Sequence, residues 1–239
     1  MRRGDIHRRH YTLRAPLEAT VIQEHARDNQ QAQESYNRNR EYAKADLARS
    51  GLMPEDIFAI FPVFPVVSGF LAEAGAAPPE RYIIPYFNLD GTPMVDVNGY
   101  PMMYRARQNS VEQRYTQPSK EQLGDLCLHP YFHPLRFKVA SDTYAIVEGE
   151  KKYVKLWKET GISGCAIGGC WNWKWGESDV HPAIIEDLER SGADKVLIVA
   201  DGDWRKYRIL TAYGGLVSGL RHHFPDKTFQ IVDLSGTPH

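Results

Sequence analysis

From Ser141 onward, short apolar runs rich in β-branched residues alternate with stretches that have helical spacing. The pattern predicts strands at residues 143–148, 164–168, 195–201 and 228–234, and helices at residues 151–160, 182–191 and 205–222. Strands joined by helices run parallel, and uniformly apolar strands are covered on both faces. Residues 141–239 are therefore predicted to form an α/β domain, in which helices cover both faces of a four-stranded parallel sheet.

The first 140 residues have a different pattern and predict two further segments. Residues 1–50 combine an Arg-rich arm with a Glu-, Gln- and Ala-rich stretch from Pro16 to about Arg49, which predicts one or two long, largely solvated helices. Residues 51–140 predict a small α+β subdomain, in which residues 81–87 and 102–107 are strands of an antiparallel meander. The mixed Pro and Phe residues between 51 and 77 predict a buried segment that is not one continuous helix.

Three acids follow two of the apolar strands. Glu148 ends the first strand of the predicted parallel sheet, while Asp201 and Asp203 follow a later one. Ligands of such sheets gather at the carboxyl ends of the strands, and all three acids are expected at that edge. A cluster of carboxylates needs a cation, and oxygen ligands suit Mg²⁺ or Mn²⁺. An acid of this kind can also merely cap a helix or face water, but three on one edge favour a metal site.

Composition limits the class of protein. The chain has 239 residues, of which 42% are hydrophobic and 25% charged, so it can bury a sizeable core. The formal net charge is −1, yet five arginines stand against one acid in the first 14 residues, which makes a basic arm. No segment is long and apolar enough to predict a membrane span, and the three cysteines do not predict a disulfide framework. We expect a soluble, cytoplasmic protein.

The motifs around these acids resemble a known domain. The strand ending in Val147-Glu148-Gly149 and the Asp201-Gly202-Asp203 triplet resemble the Toprim domain, which bacterial primases, topoisomerases and some nucleases share. More narrowly, the chain is similar to a Toprim-like family found in phage and plasmid replication proteins. This similarity rests on residues 146–152, the turn at 167–169, Trp173, and the upstream segments 84–91 and 104–107. It covers roughly residue 51 to the end of the chain.

The resemblance implies a function and roles for particular residues. It implies that Glu148 is a metal ligand or general acid/base, and that Asp201 and Asp203 hold Mg²⁺ or Mn²⁺. The implied activity is that of a primase-type nucleotidyltransferase, which joins nucleoside triphosphates into a primer on a single-stranded DNA template. A replicative helicase is a further expected partner. Candidate contacts to nucleotide or DNA phosphates are Lys151, Lys152, Arg105, Arg107, Arg205 and Lys206.

Several alternatives stay open at this point. The Toprim-like fold could serve as a catalytically inert platform for nucleic acid or a helicase, or its metal site could cleave DNA as Toprim nucleases do. Arg105 and Arg107 alternate on a predicted strand and share one face, which is either a nucleic-acid track or a hydrated surface. Trp171, Trp173 and Trp175 also alternate, and they either stack on bases or pack a loop over the sheet.

Overall fold

The computed structural model describes residues 30–62, 79–176, 179–201 and 206–232. Four features of the sequence lie outside these ranges: the basic arm, most of the segment rich in Pro and Phe, Asp203 and Arg205. Within the described ranges, no helix is both long and apolar enough to cross a membrane.

The N-terminal half consists of a helix and a small antiparallel sheet. Helix α1 spans Gln30–Ala48, and a short 3-10 helix spans Pro54–Ile57. Strands β1 (Arg81–Pro85), β2 (Tyr104–Gln108) and β3 (Tyr115–Thr116) follow in the antiparallel order β1-β2-β3. Helix α2 (Lys120–Leu123) and a second 3-10 helix (Gly124–Leu128) lead towards the C-terminal half. The paired β1 and β2 agree with the predicted meander.

The C-terminal half is the predicted α/β unit. Its elements are β4 (Thr143–Val147), α3 (Glu150–Thr160), β5 (Ser163–Ala166), a hairpin of β6 (Lys174–Trp175) and β7 (Asp179–Val180), α4 (Pro182–Ser191), β8 (Lys195–Val199), α5 (Tyr207–His223) and β9 (Thr228–Val232). Four strands form one sheet in the order β5-β4-β8-β9, and every pair in it is parallel. The predicted four-stranded parallel sheet is confirmed.

Helices cover both faces of this sheet because alternate strand residues are apolar on each side. Towards one face, α3 packs its Tyr153 and Val154 against a cluster that includes Val147 of β4. Towards the other, α4 and α5 pack with Ile146 of β4 and Ile198 of β8. Helix α3 ends at a glycine in the left-handed conformation, and α4 starts at a proline whose preceding His181 ring accepts a hydrogen bond from the helix backbone.

Helix α1 and the antiparallel sheet share the core on the α3 side. Ala43 and Leu47 of α1 are fully buried in the same cluster as residues of β1, α3 and β4. Most of α1 is solvated as predicted, but Asn39 and Asp46 are also buried, on the same side of the helix. Because two of the buried positions are polar, the sequence of α1 shows no continuous apolar stripe, and its buried face was not predicted.

Candidate active site at the carboxyl edge of the sheet

Glu148 and Asp201 lie next to each other at the carboxyl edge of the parallel sheet. Val147 and Val199 are partners in the register of β4 and β8, so the residues that follow these two strands emerge side by side. The backbone N–H of Asp201 donates to Oε2 of Glu148 at 3.4 Å, and the N–H of Glu148 donates to the carbonyl oxygen of Val199 at 3.2 Å. The structure therefore brings together the two predicted acids that it describes.

A tyrosine on α5 orients the carboxylate of Glu148. The hydroxyl of Tyr213 donates to Oε2 of Glu148 at 2.5 Å. Burial and the contact with Glu148 raise the pKa of Tyr213 far above its ordinary value, so the hydroxyl keeps its proton and acts as a donor. Tyr213 is buried, and its ring packs in the cluster between α5 and the sheet. Because Oε2 receives both hydrogen bonds, Oε1 is the oxygen better placed to bind a ligand.

Asp201 is partly exposed and has a cationic neighbour. Its side chain is 39% exposed, and Lys152 of α3 forms an ion pair with its Oδ1. Both acids line a cavity of about 190 Å³, together with Lys151, Lys152 and the backbone at Gly168 and Gly169. Glu150 lines the same cavity, so three carboxylates and at least one ammonium group border one solvent-accessible space.

The donor chemistry of this cavity fits a hard divalent cation. Glu148 and Asp201 offer carboxylate oxygens, which Mg²⁺ and Mn²⁺ prefer, and both reach the same space. Among the described residues, no group of three His, Cys, Asp or Glu side chains is close enough to hold a metal ion. Asp203, the third predicted ligand, lies outside the described ranges. The pairing of Lys152 with Asp201 shows that positive charge is accommodated at this position.

Arg105 also lines this cavity, but its guanidinium is held by protein groups. Its Nε donates to Oε1 of Glu150 at 3.2 Å, and its Nη2 donates to the carbonyl oxygen of Gly168 at 2.5 Å. Tyr86 also donates to Oε1 of Glu150 at 2.5 Å, and Glu150 is almost fully buried. Gly168 has a φ of +65°, and a Cβ atom there would collide with the guanidinium of Arg105. This contact fixes the turn after β5 against the antiparallel sheet.

Arg107 and Lys151 share a second buried acid, Asp46 of α1. Arg107 donates from Nη2 to Oδ1 of Asp46 at 3.1 Å, and Lys151 donates from Nζ to Oδ2 at 2.8 Å. Arg49 and the hydroxyl of Tyr82 also donate to this carboxylate, at 2.6 and 2.8 Å. Burial alone would raise the pKa of Asp46, but the hydrogen bonds from Arg107 and Lys151 outweigh it and hold the pKa well below its usual value.

The remaining predicted phosphate contacts have different surroundings. Lys152 is half exposed at the cavity, and Lys206 is exposed immediately before α5. Arg205 is outside the described residues. Arg105 and Arg107 lie on one face of β2 as predicted, but each side chain is only 13% exposed. Two buried acids, Glu150 and Asp46, hold these two side chains on that face.

The three alternating tryptophans separate into two kinds. Trp173 is buried in the cluster with α4 and α5, which favours packing for this residue. Trp171 and Trp175 are each about two-fifths exposed. The ammonium of Lys174 lies 4.7 Å from the centre of the Trp171 ring, at a distance typical of cation–π contact.

Three residues that stabilise this region were not predicted from the sequence. Glu150 and Asp46 neutralise the arginines and Lys151, and Tyr213 orients Glu148. Asp46 sits between Ala43 and Leu47 at helical spacing, and Glu150 follows Glu148 by two positions. These positions were the signal in the sequence from which buried acids that need cationic partners could have been predicted. The partners of these acids are distant in sequence and left no local pattern.

Comparison with known proteins shows the fold. No protein-family model matches the sequence, and no curated protein matches it at a significant level. Among solved structures, the chain is similar to the zinc-binding and RNA polymerase domains of the Aquifex aeolicus primase, with a TM-score of 0.52 and 14% sequence identity. The similarity covers 91% of this chain and 55% of that one. The chain therefore has a primase-like fold and spans about half the length of that structure.

Proposed function

We propose that this chain is a primase-type nucleotidyltransferase of a phage or plasmid replication protein, with a Toprim-like acidic site that makes primers on single-stranded DNA. The observation that carries the proposal is the meeting of Glu148 and Asp201 over one cavity at neighbouring strand ends. The primase-like fold supports the same assignment.

In the proposed reaction, the 3′-hydroxyl of the primer attacks the α-phosphate of a nucleoside triphosphate and loses its proton to solvent. A phosphodiester bond forms as the bond between the α-phosphorus and the oxygen that bridges to the β-phosphate breaks, and pyrophosphate leaves. Mg²⁺ or Mn²⁺ bound by Glu148, Asp201 and Asp203 would neutralise phosphate charge there. Glu148 presents one oxygen to the cavity while Tyr213 holds the other. Lys152 would exchange Asp201 for a phosphate oxygen, since it is half exposed and already at the site.

One observation supports a second candidate, a binding module without turnover. Lys152 neutralises Asp201, so the acids are already partly compensated without a metal ion. Such a module would hold single-stranded DNA or recruit a replicative helicase. It differs from the enzyme in one measurable respect: DNA binding would survive the removal of divalent metal, while no nucleotide would be joined.

The test is primer synthesis by the full chain, with single-stranded DNA, labelled nucleotides and either Mg²⁺ or Mn²⁺. We expect Glu148→Gln and Asp201→Asn each to reduce product by about 100-fold or more, because each removes a charge that the transition state needs. Glu159→Gln is the matched control, since Glu159 is an exposed glutamate of α3 that pairs with Lys155 outside the cavity.

Two results would overturn the proposal. The first is the absence of product from the parent chain with every template and both metals. The second is unchanged synthesis by Glu148→Gln. Incubation with supercoiled plasmid distinguishes the nuclease, because nicking that Glu148→Gln abolishes would indicate cleavage in place of joining.

A further inference from the structure

Four basic side chains line a cleft between α1, the β2–β3 region and the start of α3. The cleft has a volume of about 410 Å³, and we call it the basic cleft. Its cations are Arg49, Arg107, Arg114 and Lys151, and its other lining residues are Tyr42, Asp46, Ser50 and residues 108–111. Among the described residues that line the cleft, Asp46 is the only acid.

The charges in this cleft are not balanced. Asp46 is 1% exposed and keeps its single negative charge, because its pKa is held low by the cations around it. Three cations contact it, and Arg114 adds a fourth positive charge at the margin. Cations gathered in this way repel one another, and an anion entering the cleft would relieve the repulsion.

Two of the four cations are mostly buried and two are exposed. Arg107 and Lys151 are 13% and 18% exposed, so Asp46 fixes the direction in which they reach the cleft. Arg49 is 66% exposed, and Arg114 is exposed as well, so both can adjust to a ligand. Guanidinium groups bind phosphate oxygens in pairs, and the loop at 108–111 adds amide and hydroxyl donors.

The basic cleft adjoins the acidic cavity. Lys151 lines both spaces, and Tyr115 lines the acidic cavity while its ring lies 4.9 Å below the guanidinium of Arg107. A chain of phosphates that occupied the cleft would therefore lead towards Glu148 and Asp201. A single phosphate would fill only part of a space of this size, whereas a strand could use all four cations.

We propose that the basic cleft binds the phosphate backbone of single-stranded nucleic acid, without any need for divalent metal. This inference concerns binding alone and holds whether or not the acidic site joins nucleotides. It adds Arg49, Arg114 and Asp46 to the functional surface, and it leaves Arg105 out because that side chain is held by Glu150 and Gly168.

The experiment measures fluorescence anisotropy of a labelled 15-residue oligothymidylate with the full chain in EDTA, over a range of salt concentrations. Arg49→Ala combined with Arg114→Ala should weaken binding by about tenfold or more and should make the salt slope shallower by about 1.4, since each phosphate contact in a single strand contributes about 0.7. Both residues are exposed, so the fold should tolerate the change. Arg38→Ala with Arg40→Ala is the control, because it removes two exposed cations of α1 that do not line the cleft.

Equal weakening by the two double variants would overturn the proposal, since binding would then depend on net charge alone. A second arm adds inorganic tripolyphosphate and unlabelled oligonucleotide as competitors. If tripolyphosphate displaces the label as well as the oligonucleotide does at equal phosphate, the cleft is a site for free nucleotides and the strand assignment is wrong. This binding is measured in EDTA, where no primer is made, so a failure of binding and a failure of primer synthesis are distinguishable.

Discussion

Asp187 and Asp46 are the two most deeply buried carboxylates among the described residues, and they are neutralised in different ways. Asp187 of α4 accepts two hydrogen bonds from Nε and one from Nη2 of Arg136, and Tyr144 donates a further one at 2.8 Å. Arg136 is 1% exposed and Asp187 is fully buried, so one charge balances the other inside the core. Asp46 instead has three cationic partners at the wall of a cleft.

The difference separates a structural ion pair from a binding surface. A balanced pair with all its hydrogen bonds made inside the protein has nothing left to offer a ligand. A single acid that orients an excess of cations leaves positive charge facing water, and that charge is available to phosphates. The same carboxylate chemistry therefore stabilises the fold at Asp187 and prepares a surface at Asp46.

The largest effect is expected from removing the charge of each acid in turn. Asp187→Asn leaves Arg136 buried without a counter-ion and should lower the free energy of unfolding by about 3–5 kcal/mol. Asp46→Asn should cost roughly half as much, because Arg49 is mostly exposed and Arg107 and Lys151 can gain water from the cleft. Urea unfolding followed by tryptophan fluorescence measures both.

A control for this pair is the double change Asp187→Leu with Arg136→Met. It removes both buried charges and should recover most of the stability that Asp187→Asn loses. Equal losses for Asp187→Asn and Asp46→Asn would show that the two acids are neutralised equally well, and the comparison would fail.

The fold was predictable where the sequence pattern is local. Strands were predicted at residues 143–148 and 195–201, and they end at Val147 and Val199, because continuous apolar runs leave few other solutions. Parallel topology then placed Glu148 and Asp201 at one edge. The side-chain partners were not predictable in this way. Arg105 and its acid are 45 residues apart, and Lys151 and Asp46 are 105 apart, so only packing of α1 and β2 on α3 reveals them.

The next largest effect is the loss of stability at low pH, and it arises near the buried ion pair of Arg136 and Asp187. His133 lies beside Arg136, whose Nη1 donates to the His133 carbonyl oxygen at 3.3 Å. Its Nδ1 accepts from the N–H of Leu135 at 3.3 Å, so Nε2 carries the proton and donates to the carbonyl oxygen of Asp56 at 3.0 Å. Burial lowers the pKa of His133 to about 4, because the ring is buried in its neutral form.

The sign of the pH dependence follows from that shift. Between the unfolded pKa of 6.5 and the folded value, the unfolded chain binds a proton that the folded protein does not, so stability falls as the pH falls. At pH 5 the expected loss from His133 is about 2 kcal/mol. Asp46 contributes no loss in this range, since its pKa is depressed and it stays ionised.

Urea unfolding at pH 7 and pH 5 tests this account. His133→Gln should remove about 2 kcal/mol of the difference between the two pH values, whereas His222→Gln, at an exposed position, should leave the difference unchanged. If His133→Gln retained the full acid sensitivity of the parent, the buried neutral histidine would not be its source.

The smallest effect compares two matched tyrosines. Tyr144 donates to Asp187 and Tyr82 donates to Asp46, both at 2.8 Å and both from fully buried rings. Tyr144→Phe should cost about 1.5–2 kcal/mol, because Asp187 has one other charged partner, and Tyr82→Phe about 0.5–1 kcal/mol, because Asp46 has three. Tyr131→Phe is the control: its buried hydroxyl has no hydrogen-bond partner within the described ranges, so its loss should be neutral or stabilising. A larger cost for Tyr82→Phe than for Tyr144→Phe would mean that the three cations do not satisfy Asp46, and the contrast between the two acids would fail.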